Sequence, residues 1–197
     1  MRTTLMKKGL LIILSGPSGV GKGTVRLKLM TRPELNLFYS VSMTTRKIRP
    51  GEKEGREYYY VSRQEFLKQV EEGNLLEWNE FVGNFYGTPL DKVNQKREEG
   101  YNVLLEIDVN GAMKVMEKCP DAVSIFLKAP SFEALEKRIR GRSTETEEVI
   151  RERLGKAKSE YGLAYKYKYS VVNDSVERAA DEIASIIKKE SKQANLI

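Results

Sequence analysis

The stretch Gly16-Pro17-Ser18-Gly19-Val20-Gly21-Lys22-Gly23-Thr24 constrains this chain more than any other. The apolar run Leu10-Leu11-Ile12-Ile13-Leu14 precedes it and reads as a strand buried on both faces. The segment from Thr24 to Met30 follows, free of Gly and Pro, and reads as helix. Strand, glycine loop and helix, with G-x-x-x-x-G-K spacing, form the context in which backbone N–H groups wrap around a phosphate. The glycines allow the tight turn, and the helix N-terminus adds partial positive charge. Lys22 then reaches the outer phosphates of a nucleotide. Gly16 to Thr24 are therefore candidate nucleotide-binding residues; a glycine-rich turn that holds nothing is the plainer alternative. The hydroxyl residue that usually follows the lysine is replaced by Gly23, with Thr24 next.

The rest of the composition narrows the chemistry. There is no histidine, which removes Ser-His and Cys-His catalysis and most catalytic zinc sites. Phosphoryl transfer needs none, because it runs on positioning and charge neutralisation. The single cysteine, Cys119, forms no intrachain disulfide, so a cytoplasmic location is expected. The apolar run near the N-terminus is too short for a signal peptide or a membrane span, so no membrane partner is expected. The formal net charge is +6, with Lys and Arg spread along the chain. Small phosphorylated substrates account for that excess as well as nucleic acid would, and no nucleic-acid module is evident. Monomer and homo-oligomer both stay open.

In order, the pattern is β-α with one interruption. Residues 1–36 read as core carrying the loop. Residues 37–89 read as a small, mainly β insertion. It has strands at Leu37–Ser42, Tyr58–Val61 and Leu75–Val82, a capping box at Ser62-x-x-Glu65 and a tight turn at Gly83-Asn84. Residues 90–137 return to the core, with a strand at Tyr101–Asp108 and another at Ala122–Leu127. Residues 138–160 read as a densely charged helical lid, with a capping pair at Thr144-x-x-Glu147 and helix to about Tyr165. Residues 161–197 close the core with a strand at Tyr169–Asn173 and a helix capped by Ser175. The expected architecture is α/β, a parallel sheet covered by helices on both faces. Ligands bind such sheets at the carboxyl ends of the strands, where Gly16, Asp108 and Asn173 converge.

Three constellations carry the chemistry. Glu106 and Asp108, two apart on a strand, present both carboxylates on one face. Beside a phosphate loop they would hold magnesium waters or orient an acceptor; alternatively, one simply pairs with a nearby arginine. Thr24 and Asp108, directly or through water, are the candidate metal ligands. Arg138, Arg142 and Arg153 form a basic set suited to clamping a phosphoryl group, or else a solvated helix face. The insertion contributes Ser42, Arg46, Arg49, Tyr58, Glu77, Tyr86 and Thr88. Its Arg and Tyr residues would hold a second phosphate. Glu77, in an apolar stretch beside Trp78, matches the N1–H and N2–H₂ donors of guanine. The Ser42 and Thr88 hydroxyls would answer O6 and N7. Structural polar residues are the alternative here.

With these residues in view, the chain resembles the guanylate kinases, P-loop nucleoside monophosphate kinases, from about Gly9 to Lys188. The loop, the run Ser40-Val-Ser-x-Thr-Thr-Arg-x-x-Arg-Pro-Gly-Glu52, Tyr58, Glu77-Trp78 and Gly83-Asn-Phe-Tyr-Gly-Thr-Pro89 carry the likeness. So do Ile107-Asp-Val-Asn-Gly111, Arg138-x-x-Gly-Arg142, Thr144-Glu-Thr-Glu147 and Val172-Asn-Asp174. The resemblance implies a P-loop NTPase core, a GMP-binding insertion and a lid. It implies transfer of the γ-phosphoryl of ATP to GMP, giving ADP and GDP, with Mg2+. It assigns the GMP phosphate to Arg46, Arg49, Tyr58 and Tyr86, and guanine to Ser42, Glu77, Thr88 and Asp108. It assigns the ATP phosphates and the transferring group to Lys22, Arg138, Arg142 and Arg153, and puts Asn173 near adenine. Lys22, Arg46, Arg138, Arg142 and Arg153 are thus the expected catalytic set. Departures are small: Gly23 for a hydroxyl residue (a version the family also shows), Thr88 where many have Ser, and Asn110 where Gln is usual. A ribose-bisphosphate kinase on the same scaffold, or a non-catalytic guanylate-kinase-like interaction module, are the rival readings.

Overall fold

A computed structural model describes residues 7–81, 83–141 and 146–194. Its core is a five-stranded, wholly parallel sheet in the order β2-β7-β1-β8-β9. The strands are β1 (Leu11–Ser15), β2 (Leu37–Tyr39), β7 (Asn102–Glu106), β8 (Val123–Lys128) and β9 (Tyr169–Val172). Every residue of β1 is buried, as a central strand covered on both faces requires. Its period of two separates two cores. Ile12 and Leu14 join Leu104, Ile125 and Leu127 beneath α1 (Lys22–Met30) and α7 (Val176–Ala194). Leu11 and Ile13 join Val103, Leu105 and Phe126 beneath α3 (Leu90–Glu98) and α4 (Val109–Lys118).

A second sheet, β4-β3-β6-β5, stands over the carboxyl ends of the first. It comprises β3 (Met43–Thr44), β4 (Tyr59–Tyr60), β5 (Leu75–Phe81) and β6 (Asn84–Pro89), with α2 (Arg63–Glu71) alongside. Its own small core is Phe66, Leu75 and Phe85, the two phenylalanines stacked at 5.4 Å. α2 starts where expected, with Ser62 Oγ accepting from Glu65 N. The remaining helices are α5 (Phe132–Arg140) and α6 (Glu147–Tyr161). Among the described residues, no helix is long and apolar enough to cross a membrane.

The fold corrects several sequence expectations. The strand beginning at Leu37 belongs to the core sheet: Leu37, Phe38 and Tyr39 pair with Asn102, Val103 and Leu104 of β7. Ser40 N makes the last bond of that ladder, to Leu104 O, and the chain then crosses to the second sheet. The insertion therefore starts after Ser40. β7 stops at Glu106, and Asp108 instead caps α4, its Oδ1 accepting from Gly111 N at 2.8 Å. Glu106 and Asp108 consequently do not share a strand face. In the β5–β6 hairpin Phe81 pairs with Asn84, so Asn84 belongs to β6 and not to a Gly83-Asn84 turn. Thr146 caps α6 through Val149 N, and Thr144 lies outside the described residues. α6 ends at Tyr161 rather than near Tyr165, because the chain tightens into a 3-10 turn at Ala164–Lys166.

Candidate active site

β1 delivers the chain into the loop at Gly16, whose φ is 140°. A Cβ there would lie 2.4 Å from Leu127 O, so no other residue fits. At the far end Gly21, with φ 96°, opens α1 without a side-chain cap. The first N–H groups of α1 thus have no intrahelical partner, and the helix end carries its partial positive charge into the cleft. Lys22 Nζ donates to Gly16 O and, at 3.1 Å, to Pro17 O. Enclosure pulls the Lys22 ammonium below its ordinary pKa, against the opposing pull of Glu106, Glu160 and Asp108.

The loop is braced from behind. Arg138 Nη2 donates to Asn173 O at 2.8 Å and Nη1 to Val20 O at 3.3 Å. Asn173 Nδ2 donates to the same Val20 carbonyl at 2.8 Å. A Cβ on Gly21 would come within 2.5 Å of that nitrogen. Arg138 is thus part of α5 and bonded to the loop. Arg153, on α6, donates from Nη2 to Ser18 Oγ at 2.9 Å. Arg142 lies outside the described residues.

Between the loop and the second sheet lies a cavity of about 730 Å³. Lys22, Thr24 and Arg153 line it from the core side, and Ser42, Arg46, Arg49, Tyr58, Glu77 and Tyr86 from the insertion. A smaller cavity of about 450 Å³ sits behind the loop, lined by Gly21, Thr24, Arg138 and Asn173. Pro17 and Val20 serve through their carbonyls. Thr88 stands behind Glu77.

On the insertion, Arg46 Nη2 donates to Glu52 Oε1 at 2.8 Å and Nη1 to Lys47 O at 2.8 Å. Its guanidinium lies 5.4 Å from the Tyr58 ring centre and 5.8 Å from that of Tyr60. Glu52 Oε2 also accepts from Arg49 N at 2.9 Å and Tyr60 OH at 2.7 Å. Arg46, followed by Arg49 N, holds the Glu52 carboxyl down to about 2. Tyr58 and Tyr86 meet edge-on at 5.7 Å. Burial raises the Tyr58 phenol, with Tyr86 adding to the effect.

Glu77 is 6% exposed, and its Oε1 accepts from Thr88 Oγ1 at 2.7 Å. Burial pushes its carboxyl up to about 7, partly offset by the Thr88 bond and by Lys114 and Lys118. Asp108, besides capping α4, accepts from Asn79 Nδ2 at 3.0 Å through Oδ2. Glu106 pairs with an arginine: Arg26 Nε donates to its Oε2 at 2.7 Å. Its other oxygen lies 3.5 Å from where a Cβ on Gly23 would be.

Glu52, Asn79, Arg26 and Glu160 also line the large cavity and were not singled out from sequence. Two signals were available. Glu52 follows two arginines across the Pro50-Gly51 turn, and Arg26 is one helical turn beyond Lys22. Near the loop, the oxygens of Thr24, Glu106 and Asp108 are the hard donors that magnesium prefers.

This arrangement has a bearing on what the chain is similar to. Residues 8–190 match the protein-family model described as Guanylate kinase. A guanylate kinase of Lactococcus lactis is 54% identical over 186 residues, covering 94% of this chain and 90% of that one. One of Streptococcus agalactiae is 50% identical, covering 94% and 89%. A crystal structure of guanylate kinase from Anaplasma phagocytophilum superposes with a TM-score of 0.77 at 39% identity, covering 95% of this chain and 88% of that one.

Proposed function

Given that the chain belongs to the guanylate kinase family, and so is an ATP:GMP phosphotransferase on a P-loop NTPase fold, we propose that the loop side holds ATP and the insertion holds GMP. The observation that carries this division is one cleft with Lys22 on one wall and the buried Glu77–Thr88 pair on the other. In this reading Gly16 to Thr24 cradle the ATP phosphates, and Asn173 borders the adenine. Arg46, Arg49, Tyr58 and Tyr86 grip the GMP phosphate. Ionised Glu77 accepts from guanine N1–H and N2–H₂, while Ser42, Thr88 and Asp108 complete the base pocket. Adenine would leave Glu77 facing an acceptor, a buried mismatch that discriminates strongly.

A GMP phosphate oxygen attacks the γ-phosphorus in line. The new P–O bond forms as the bond to the β-phosphate oxygen breaks, releasing ADP and GDP with no covalent enzyme intermediate. Lys22, Arg46, Arg138, Arg142 and Arg153 stabilise the charge shared among the equatorial oxygens. Thr24 and Asp108, through water, are the residues that would hold Mg2+, with Glu106 beside them. Bound there, the metal would neutralise charge on the β- and γ-phosphates. Closing the insertion over the core would exclude water and spare ATP from hydrolysis. A cytoplasmic site of action goes with this reading, supported by a lone cysteine and no disulfide.

The test is a coupled assay with Mg-ATP and GMP, with AMP, CMP, UMP and a ribose bisphosphate as controls. The expected result is GDP formation at least ~1,000-fold more efficient than any other product. Turnover of the sugar phosphate without GMP, or GMP binding without GDP formation, would overturn the proposal.

A further inference from the structure

β5 is the edge strand of the second sheet, bonded to β6 on one side only. Its other edge would present unpaired carbonyls, and exposed edges need covering. Here α4 covers it. Lys114 Nζ donates to Trp78 O and Lys118 Nζ to Leu76 O, each at 2.6 Å. The spacing is matched: four helical residues rise ~6 Å, and two strand residues span about 6.6 Å. Lysines at i and i+4 therefore meet carbonyls at j+2 and j in register. The two carbonyls belong to the residues on either side of Glu77.

The same face of α4 shapes the space for the carboxylate. At Gly111 a Cβ would come within 2.7 Å of Glu77 Oε2, so the missing side chain leaves room for that oxygen. One turn before, Asp108 binds Asn79, two residues past Glu77. The strand is thus tied to the core at 76, 78 and 79, with Glu77 among the anchors. The phosphate-facing Arg46, Arg49 and Tyr58 come from residues around β3 and β4, at the opposite edge of the sheet.

We infer that Lys114 and Lys118 are positioning residues for base selection. By clamping β5 to α4 they hold the Glu77 carboxylate where both N1–H and N2–H₂ of guanine meet it. The clamp thereby sets the preference for guanine over a purine lacking the 2-amino group. This rests on the reading of Glu77 given under the proposed function.

The test compares kcat/KM for GMP and IMP, which share phosphate, ribose, O6 and N1–H and differ only in the 2-amino group. Lys114→Met and Lys118→Met keep the aliphatic stems and remove the clamp singly; the double variant removes it entirely. The GMP:IMP ratio is expected to fall a few-fold in each single variant and about tenfold in the double. KM for ATP is expected to stay unchanged. Lys→Arg at both positions, which keeps donors at the carbonyls, is expected to retain the ratio. An unchanged ratio in the Met variants, or parallel losses for GMP and IMP, would show the lysines to be merely structural and overturn the inference. Glu77→Gln is measured alongside. If it too leaves the ratio unchanged, the base-reading assignment of Glu77 has failed instead.

Discussion

The two walls of the cleft are built in different ways. On the core side, nine consecutive residues from Gly16 to Thr24 form the surface, and much of what they present is backbone. Their conformation is dictated by positive φ at Gly16 and Gly21, and by Arg138 and Asn173 bonding to the loop from behind. On the insertion side the surface is side chains, drawn from residues 42 to 88, and several are held by other side chains. Glu52 holds Arg46, Thr88 holds Glu77, and Asp108 holds Asn79. A backbone-made site accepts any phosphate chain of suitable length. A site made of side chains carries identity, because each group has its own donor and acceptor pattern.

That contrast is open to direct attack. The largest effect is expected from Gly21→Val. A β-branched residue at φ 96° is strained, and its Cβ would displace Asn173. kcat/KM for ATP is expected to fall at least ~100-fold, as read by steady-state kinetics at saturating GMP. A loss under threefold would mean that the loop's conformation matters far less than its geometry implies.

Glu77→Gln addresses the other wall. It keeps the shape of the pocket but replaces an acceptor oxygen with a donor, costing charge-assisted hydrogen bonds. kcat/KM for GMP should drop about 30-fold while KM for ATP stays within about twofold. Equal losses for the two nucleotides would erase the division between the walls.

A smaller effect follows from the titration of the same group. Folding raises the Glu77 carboxyl to about 7, from an ordinary value of 4.5. The folded state therefore binds this proton more tightly than the unfolded chain does. The stability linked to it is full below about pH 4.5 and is lost as pH rises through 7. The loss amounts to ~3 kcal/mol at most. Urea unfolding of both proteins should show Glu77→Gln gaining on the parent by ~2 kcal/mol between pH 5 and pH 8. Parallel pH profiles would show that the carboxylate is not penalised by its surroundings.

The same contrast explains what was legible in the sequence. The loop could be read because its chemistry is local: spacing, glycines and a flanking strand are contiguous. The parallel sheet could be read from strands that are apolar on both faces, such as β1. β2 was misassigned because its partner, β7, lies more than sixty residues away in sequence. Apolar and aromatic character alone does not say which sheet a short strand joins. Asp108 was placed on a strand because an alternating pattern does not show where the ladder ends and a capping turn begins. Individual insertion residues had plain structural alternatives, and only the resemblance to a family drew them together. Glu52, Arg26 and the lysines of α4 matter through contacts that the linear order hides, and the register of Lys114 and Lys118 with β5 appears only when helix and strand are laid side by side.

The claim that the two walls are separately built is tested most directly by calorimetric titration of GMP, with no ATP present, into the Gly21→Val variant. Since, among the described residues, a Cβ at Gly21 would meet only Asn173, which lies outside the insertion, GMP should bind with a dissociation constant within about threefold of the parent's, although turnover falls steeply. Loss of GMP binding in step with the loss of ATP would contradict the account, showing that loop and insertion form a single interdependent site.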